Sequence, residues 1–165
     1  VLHVLIGALA VARRRVRIVT PYFVPDGELL RALRVAALRG VSVELLLPAR
    51  SNLPFVDWAR SPQLPFLLDS GCTIHLSGAP FDHSKLMVVD GQWSLVGSTN
   101  WDARSLRLNF EYNVECYDPA FAARLGAIID ARLATATRLD AAALEARPFL
   151  LKLRDGLARL LSPYL

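Results

Sequence analysis

The stretch "FDHSKLMVVDGQWSLVGSTN", residues 81–100, decides how this chain folds. An apolar run after Lys85 meets Asp90-Gly91, a pair that suits the positive φ values of a tight hairpin turn, and a second run follows, ending in "VGSTN". The stretch therefore reads as two antiparallel strands. At its head stand two ionisable groups, His83 and Lys85. Side chains alternate along extended backbone, so these two are expected on one face while Leu86 and Val88 point to the other.

Outward from the hairpin, helical and strand-like segments alternate, the pattern of a layered α/β domain. Residues 2–14 have helical spacing, and "RVRIVTPYFV" (15–24) is β-rich and ends at Pro25. A helix is expected over 26–40, from Asp26 as N-cap to Gly40 as stop, with Leu29, Leu30, Leu33 and Ala37 on one face. "VSVELLLP" (41–48) is apolar on both faces, which predicts a central parallel strand and completes a βαβ unit. Residues 49–62 read as an irregular loop at the carboxyl end of that strand, where such sheets build ligand sites. Then come a helix over 63–70, the strand "CTIHLSG", the hairpin, the alternating strand "NFEYNVECYD" (109–118) and a helix over 119–135. The expected fold is α/β: a mixed, mostly parallel β-sheet flanked by helices on both faces over residues 1–137. A helical tail over 138–165 is expected to pack on it.

With 165 residues and 53% hydrophobic content, the chain can bury the core of one domain. "VLHVLIGALAVA" stops at Arg13, Arg14 and Arg15, short of the about 18 apolar residues of a membrane span. Its charges follow the apolar part, unlike those of a signal peptide. The first residue is Val1 rather than Met, which points to a fragment or a trimmed chain. The net charge of +4 fits anionic partners such as phospholipid head groups or nucleic acid. Cys72 and Cys116 stand singly in apolar stretches and read as buried thiols. Neither a metal nor another cofactor is expected.

A single strand histidine is most often a packing residue, and His3 and His75 have no company in sequence that raises them above it. His83 has company. In "VGSTN", Gly97 permits a close backbone approach, and Ser98 and Asn100 supply a hydroxyl and an amide on one face. Imidazole, ammonium, hydroxyl and amide together make a pocket of donors that fits a phosphodiester. Glu111, on the following strand, is expected to hold one imidazole nitrogen as N–H, leaving the other to attack or to accept a proton.

"HSKLMVVD" fits H-x-K-x-x-x-x-D with His83, Lys85 and Asp90, and "GSTN" follows; in these motifs the chain resembles the phospholipase D superfamily. "TPYFVPDGELLRALRVAALRGVSVELLLP", "VDWA", "GSTNWDARSLRLNFEYNVECYD" and "RPFLLKLRDGLARLLSPYL" extend the resemblance to the second half of bacterial cardiolipin synthases and close phosphatidyltransferases. The resemblance implies the phospholipase D-like fold, as one half of a two-fold pseudo-symmetric pair. It implies a transferase that moves a phosphatidyl group between phosphatidylglycerol molecules through a phosphohistidine. The alternatives are hydrolysis, as in a phospholipase or nuclease, and a non-catalytic membrane-binding or pairing module.

In that mechanism one histidine of a pair attacks phosphorus while its partner protonates the leaving alcohol and activates the incoming one. The second motif commonly takes the acid/base role, so His83 is expected there. Lys85 and Asn100, with Ser98 behind them, would stabilise charge on the phosphate oxygens. Glu111 would orient His83, and Asp90 would serve as a structural hydrogen-bonding residue. No metal is required. The sequence holds one such motif, so the site needs either a missing N-terminal half or a second copy. The implied partners are anionic phospholipid (phosphatidylglycerol) and the surface of the bacterial cytoplasmic membrane, with nucleic acid not expected. Asp82 stands where these synthases usually carry an apolar residue, and is expected to face away from His83 as a solvated edge carboxylate. "STNW", in place of the commoner Ser-Ala-Asn-aliphatic phrase, leaves acceptor choice open.

Phe149, Leu150, Leu153, Leu157, Leu160, Leu161 and Tyr164 form one helical stripe with Lys152, Asp155 and Arg159 opposite. That stripe either covers the domain's own core, or faces the missing half, or lies in a membrane interface. Trp58 and Trp101 are expected to flank the site, either gripping an acyl-glycerol or packing at a loop base.

Overall fold

The computed structural model describes residues 1–161, so Tyr164 of the tail stripe lies outside the described residues. In chain order the elements are α1 (Leu2–Val11), β1 (Arg15–Val19), β2 (Phe23–Val24), α2 (Gly27–Leu38), β3 (Ser42–Pro48), α3 (Pro54–Arg60), α4 (Leu64–Leu68), β4 (Thr73–Ser77), β5 (Leu86–Val89), β6 (Trp93–Gly97) and β7 (Trp101–Asp102). They continue with α5 (Ala103–Arg107), β8 (Asn113–Cys116), α6 (Pro119–Leu133), β9 (Thr137–Arg138), α7 (Ala141–Glu145) and α8 (Phe149–Leu160).

One seven-stranded sheet runs in the order β8-β6-β5-β1-β3-β4-β9. β1, β3 and β4 are parallel neighbours, and β6 runs with them because two antiparallel pairings separate it from β1. The sheet is thus mixed, as expected, with β5, β8 and β9 opposed to the other four strands. β3 sits between two parallel partners and is buried on both faces, which is why its sequence lacks polar alternation.

Helices cover both faces. α1, α2 and α4 bury Leu5, Leu9, Leu29, Leu33 and Leu67 against Ile18, Leu45 and Met87. On the opposite face α6 buries Ala122, Leu125 and Ile129 against Val19, Leu46 and Val88. Each such side chain removed from water contributes roughly 1.5–3 kcal/mol, which offsets the entropy of ordering the chain. Arg17 shares that face, its stem under α6 and its guanidinium donating to the Gly126 carbonyl at 3.1 Å and Asp130 at 3.0 Å. α2 begins where expected, with the Asp26 carboxylate accepting from the backbone N–H groups of Glu28 and Leu29.

Several expectations are corrected. The 15–24 run divides into β1 and β2; Phe23 leaves the main sheet to pair with Trp101. Residues 49–62 are not wholly irregular, because α3 starts at Pro54, whose fixed φ suits a first turn. Only Asn113–Cys116 of the 109–118 stretch is strand. β9 carries the sheet through positions 137 and 138, pairing with Leu76 and His75, and the Leu139 N–H donates to Ile74 O at 2.8 Å. Cys72 is buried, and burial pushes its thiol up to about 12, whereas Cys116 is only half-buried.

The largest correction concerns α8. Its apolar stripe does not cover the chain's own core: Phe149, Leu150, Leu153, Leu157, Leu160 and Leu161 are exposed, and the side turned inward carries Asp155 and Ala158. Asp155, 1% exposed, accepts from Arg147 at 2.6 Å and Arg154 at 2.7 Å, and the Arg154 guanidinium lies over the Trp58 ring at 4.4 Å. Asp155 thus ties α8 to the segment before it, while Ala158 packs with Val56 and Ala59 of α3 and Trp58 of α3 lies under Arg154. Among the described residues no helix is long and apolar enough to cross a membrane.

Candidate active site

His83 and Lys85 precede β5 rather than lying within it. The strand begins at Leu86, where pairing with Val19 of β1 starts. What joins the two side chains is not strand alternation but a backward turn of the lysine. Lys85 Nζ donates to the His83 carbonyl at 2.8 Å and lies 3.0 Å from His83 Nδ1. Lys85 is 9% exposed, and burial lowers its pKa against the opposing influence of Glu111, Asp82 and Asp102. The His83 ring stands at the surface between Tyr22 and Phe81, with ring centroids 5.6 and 5.8 Å away. Partial burial and then the Lys85 charge lower the His83 pKa, with Asp82 opposing, a balance that favours the neutral imidazole.

Asp82 is not the solvated edge carboxylate expected. Its Oδ1 accepts from the Ser84 N–H at 2.9 Å, and its Oδ2 forms an ion pair with Arg132 of α6 at 2.8 Å. The aspartate thus ties the loop before β5 to the helix beneath it.

From β6 the chain delivers Ser98 and Asn100. Gly97 is required there, because a Cβ would stand 2.5 Å from the Tyr112 carbonyl and closer still to Asn113. Ser98 Oγ donates to Glu111 Oε2 and accepts from the Tyr112 N–H at 3.0 Å. The other Glu111 oxygen accepts from Ser105 Oγ at 2.5 Å and from Asn109 Nδ2 at 3.1 Å. Ser105 Oγ in turn accepts from the Asn100 backbone N–H at 3.1 Å and from Asn100 Nδ2 at 3.4 Å. Burial pushes the Glu111 carboxyl up, but the two hydroxyls, the Asn109 amide and Lys85 outweigh it, so its pKa lies below the usual carboxylate value.

Contrary to the expectation from sequence, Glu111 does not hold His83; its described partners are Ser98, Ser105 and Asn109. It ties Ser98 directly, and Asn100 through Ser105, into one network that faces Lys85. Ser105 was not singled out from sequence. Its signal was the D-x-x-S pattern of a capped helix start: Asp102 Oδ1 accepts from the Ser105 N–H at 2.7 Å and sets the hydroxyl beneath Asn100.

Asp90, the last motif residue, sits at the opposite end of β5 from His83. Its carboxylate accepts from the backbone N–H groups of Arg13, Arg14 and Arg15, each at 2.8 Å. Its φ of 54° and that of Gly91, 67°, make the expected hairpin turn. Asp90 is thus placed for structure, clear of His83 and Lys85. Trp101 is 3% exposed and stacks on Phe23, and Trp58 packs under Arg154, so both tryptophans belong to packing.

A hollow of about 290 Å³ opens beside the network, lined by Tyr22, Leu53, Asn100, Asp102 and Asn109. A larger groove of about 520 Å³ lies between α1 and the Asp90 end of β5, and neither His83 nor Lys85 lines it. Among the described residues no group of three or more His, Cys, Asp or Glu is arranged to hold a metal.

Residues 5–133 match the family described as cardiolipin synthase, PLD-like domain. The chain belongs to this family. As a phospholipase D-like domain it is 38% identical over 154 residues to cardiolipin synthase 1 of Staphylococcus epidermidis, covering 93% of the chain and 31% of that protein. It is also 38% identical over 154 residues to the major cardiolipin synthase ClsA of Bacillus subtilis, covering 93% and 32%. The domain spans about a third of the length of these curated relatives. Two solved structures share its fold: Nuc from Salmonella typhimurium, a phospholipase D family member (TM-score 0.74, 21% identity, 84% of this chain and 90% of that one), and the phosphatidylserine synthase of Haemophilus influenzae (TM-score 0.77, 17% identity, 98% and 44%). The phospholipase D-like fold expected from the motif is thereby established.

Proposed function

We propose that this domain supplies one half of the active site of a phosphatidyltransferase that converts two phosphatidylglycerol molecules into cardiolipin and glycerol. The observation that carries the reading is the Lys85–His83 pair, faced by a carboxylate network that fixes Ser98 and Asn100. In the proposed reaction a histidine nitrogen bonds to phosphorus as the bond to the departing glycerol oxygen breaks, and a partner histidine gives that oxygen its proton. The hydroxyl of a second phosphatidylglycerol then attacks phosphorus, passes its proton to the partner histidine, and the P–N bond breaks. A lowered His83 pKa suits the base half of the acid/base role, the step in which the incoming hydroxyl gives up its proton, and Lys85 and Asn100 suit the charge that grows on the phosphate oxygens. The second histidine would come from an N-terminal half or from a second copy.

The same reading sets the domain on an anionic membrane, the bacterial cytoplasmic membrane, with α8 toward it. At 100° per residue, Phe149, Leu150, Leu153, Leu157 and Leu160 span one outward arc, with Arg154 on one flank and Lys152 and Arg159 on the other. That is the build of a helix lying in a lipid interface.

Product analysis of the full-length protein with labelled phosphatidylglycerol tests the proposal. Cardiolipin and free glycerol are expected, with both lost in His83→Ala. Phosphatidic acid with glycerol would assign water as the acceptor and make the protein a hydrolase. Undiminished synthesis by His83→Ala would reject the reading.

A further inference from the structure

We infer that Ser105 is a positioning residue that fixes which way the Asn100 amide faces, so that Asn100 offers an N–H rather than a carbonyl oxygen to the substrate phosphate. The inference rests on the function proposed above. A serine hydroxyl has one proton and two lone pairs, while an ionised carboxylate only accepts. With Glu111 Oε1 at 2.5 Å, the Ser105 proton goes to Glu111. Ser105 is then an acceptor only, and Asn100 meets it with two donors, its backbone N–H and Nδ2. The reversed amide would set Oδ1 against lone pairs with no proton to offer. Asn100 Oδ1 accordingly has no hydrogen-bond partner among the described residues, so the amide is held from its nitrogen side. Nδ2 carries two protons: one is engaged by Ser105, and the other remains for a phosphate oxygen.

Ser105 is 3% exposed and does not itself meet the substrate. The donor order Asn100 to Ser105 to Glu111 holds while Glu111 is ionised. The charged groups facing Glu111 are Lys85, ahead of β5, and Asp102, which caps α5; Ser98 and Asn109 complete its shell as neutral donors. A protonated Glu111 would lend Ser105 a proton to accept, free the Ser105 hydrogen for Asn100 Oδ1, and turn the amide over.

The test is steady-state kinetics across pH on the full-length protein. Ser105→Ala is expected to lower kcat about 10- to 100-fold, the size of one lost hydrogen bond to a charged group, with KM changed little. It should also move the more acidic inflection of the pH profile upward, because Glu111 loses a donor that holds its pKa down. Ser105→Thr, which keeps the hydroxyl, should restore both. Ser105→Cys, which keeps the volume with a weak donor, should behave as Ala does and gives the same reading if Ala melts early. Wild-type kcat with an unmoved inflection in Ala or Cys overturns the inference, provided His83→Ala is inactive in the same assay. An active His83→Ala would instead overturn the proposed function.

Discussion

Lys85 Nζ is anchored at 2.8 Å to the carbonyl oxygen of His83, the residue whose Nδ1 it faces at 3.0 Å. The cation is thus carried by the backbone of the imidazole it influences, and Asp82 opposes it from the neighbouring position. Lys85→Met should raise the His83 pKa and move the inflection nearer neutrality to higher pH, while Asp82→Asn should move it lower. A pH–rate series reads both, and shifts in the same direction would contradict this electrostatic arrangement. Lys85→Met should also reduce kcat by about 100-fold or more, as loss of one charge-stabilising donor does.

Asp90 joins the hairpin to the start of β1 through three backbone N–H groups. Asp90→Ala should cost about 2–4 kcal/mol, from the lost charge-assisted bonds and the positive φ that alanine resists. Burial raises the Asp90 pKa but the three N–H groups and Arg14 outweigh it, so the folded value is depressed. Its contribution is therefore complete above the unfolded carboxylate value and lost as pH falls through the folded one. Denaturant melts of wild type and Asp90→Asn should lie furthest apart above the ordinary carboxylate range and draw together as the pH falls through and below it.

The buried Asp155 on the inner side of α8 predicts an inverted pattern of sensitivity. Asp155→Ala strands Arg147 and Arg154 and should destabilise the domain by about 2–3 kcal/mol, less than a fully buried pair because both arginines are partly exposed. Leu157→Ser, on the outward arc, should change folding by no more than about 0.5 kcal/mol and yet weaken binding to anionic vesicles. Equal effects of the two on thermal melts would refute the orientation of the helix.

Gly97→Ala should destabilise by about 2 kcal/mol or more and lower activity, because the β6–β8 contact must open to admit a methyl group against Tyr112 O and Asn113. Urea titration with parallel activity assays checks this. Full stability would mean that the strands do not approach this closely.

The main sheet was legible because the signals were local: a cap at Asp26, a stop at Gly40, a turn at Asp90-Gly91 and an apolar β3. Candidate site residues could be named from the sequence, but not the hydrogen bonds among them. "HSK" and "GSTN" name the donors, yet whether Glu111 bonds an imidazole or two hydroxyls depends on where Ser105 arrives, and that depends on a five-residue helix after a two-strand detour. The α8 stripe misled because amphipathicity says that one face is apolar, not which face is turned inward. Asp155, placed opposite the stripe, is buried between Arg147 and Arg154, and the stripe is left outward. β9 is two residues long, too short for any period to register.

Across the six positions from Lys85 to Asp90 the motif changes occupation, from proposed chemistry at one end of β5 to masonry at the other. Losses at its two ends should then answer to different remedies. A second-site change that hardens the scaffold elsewhere would revive an Asp90 variant, and no amount of hardening would revive His83→Ala.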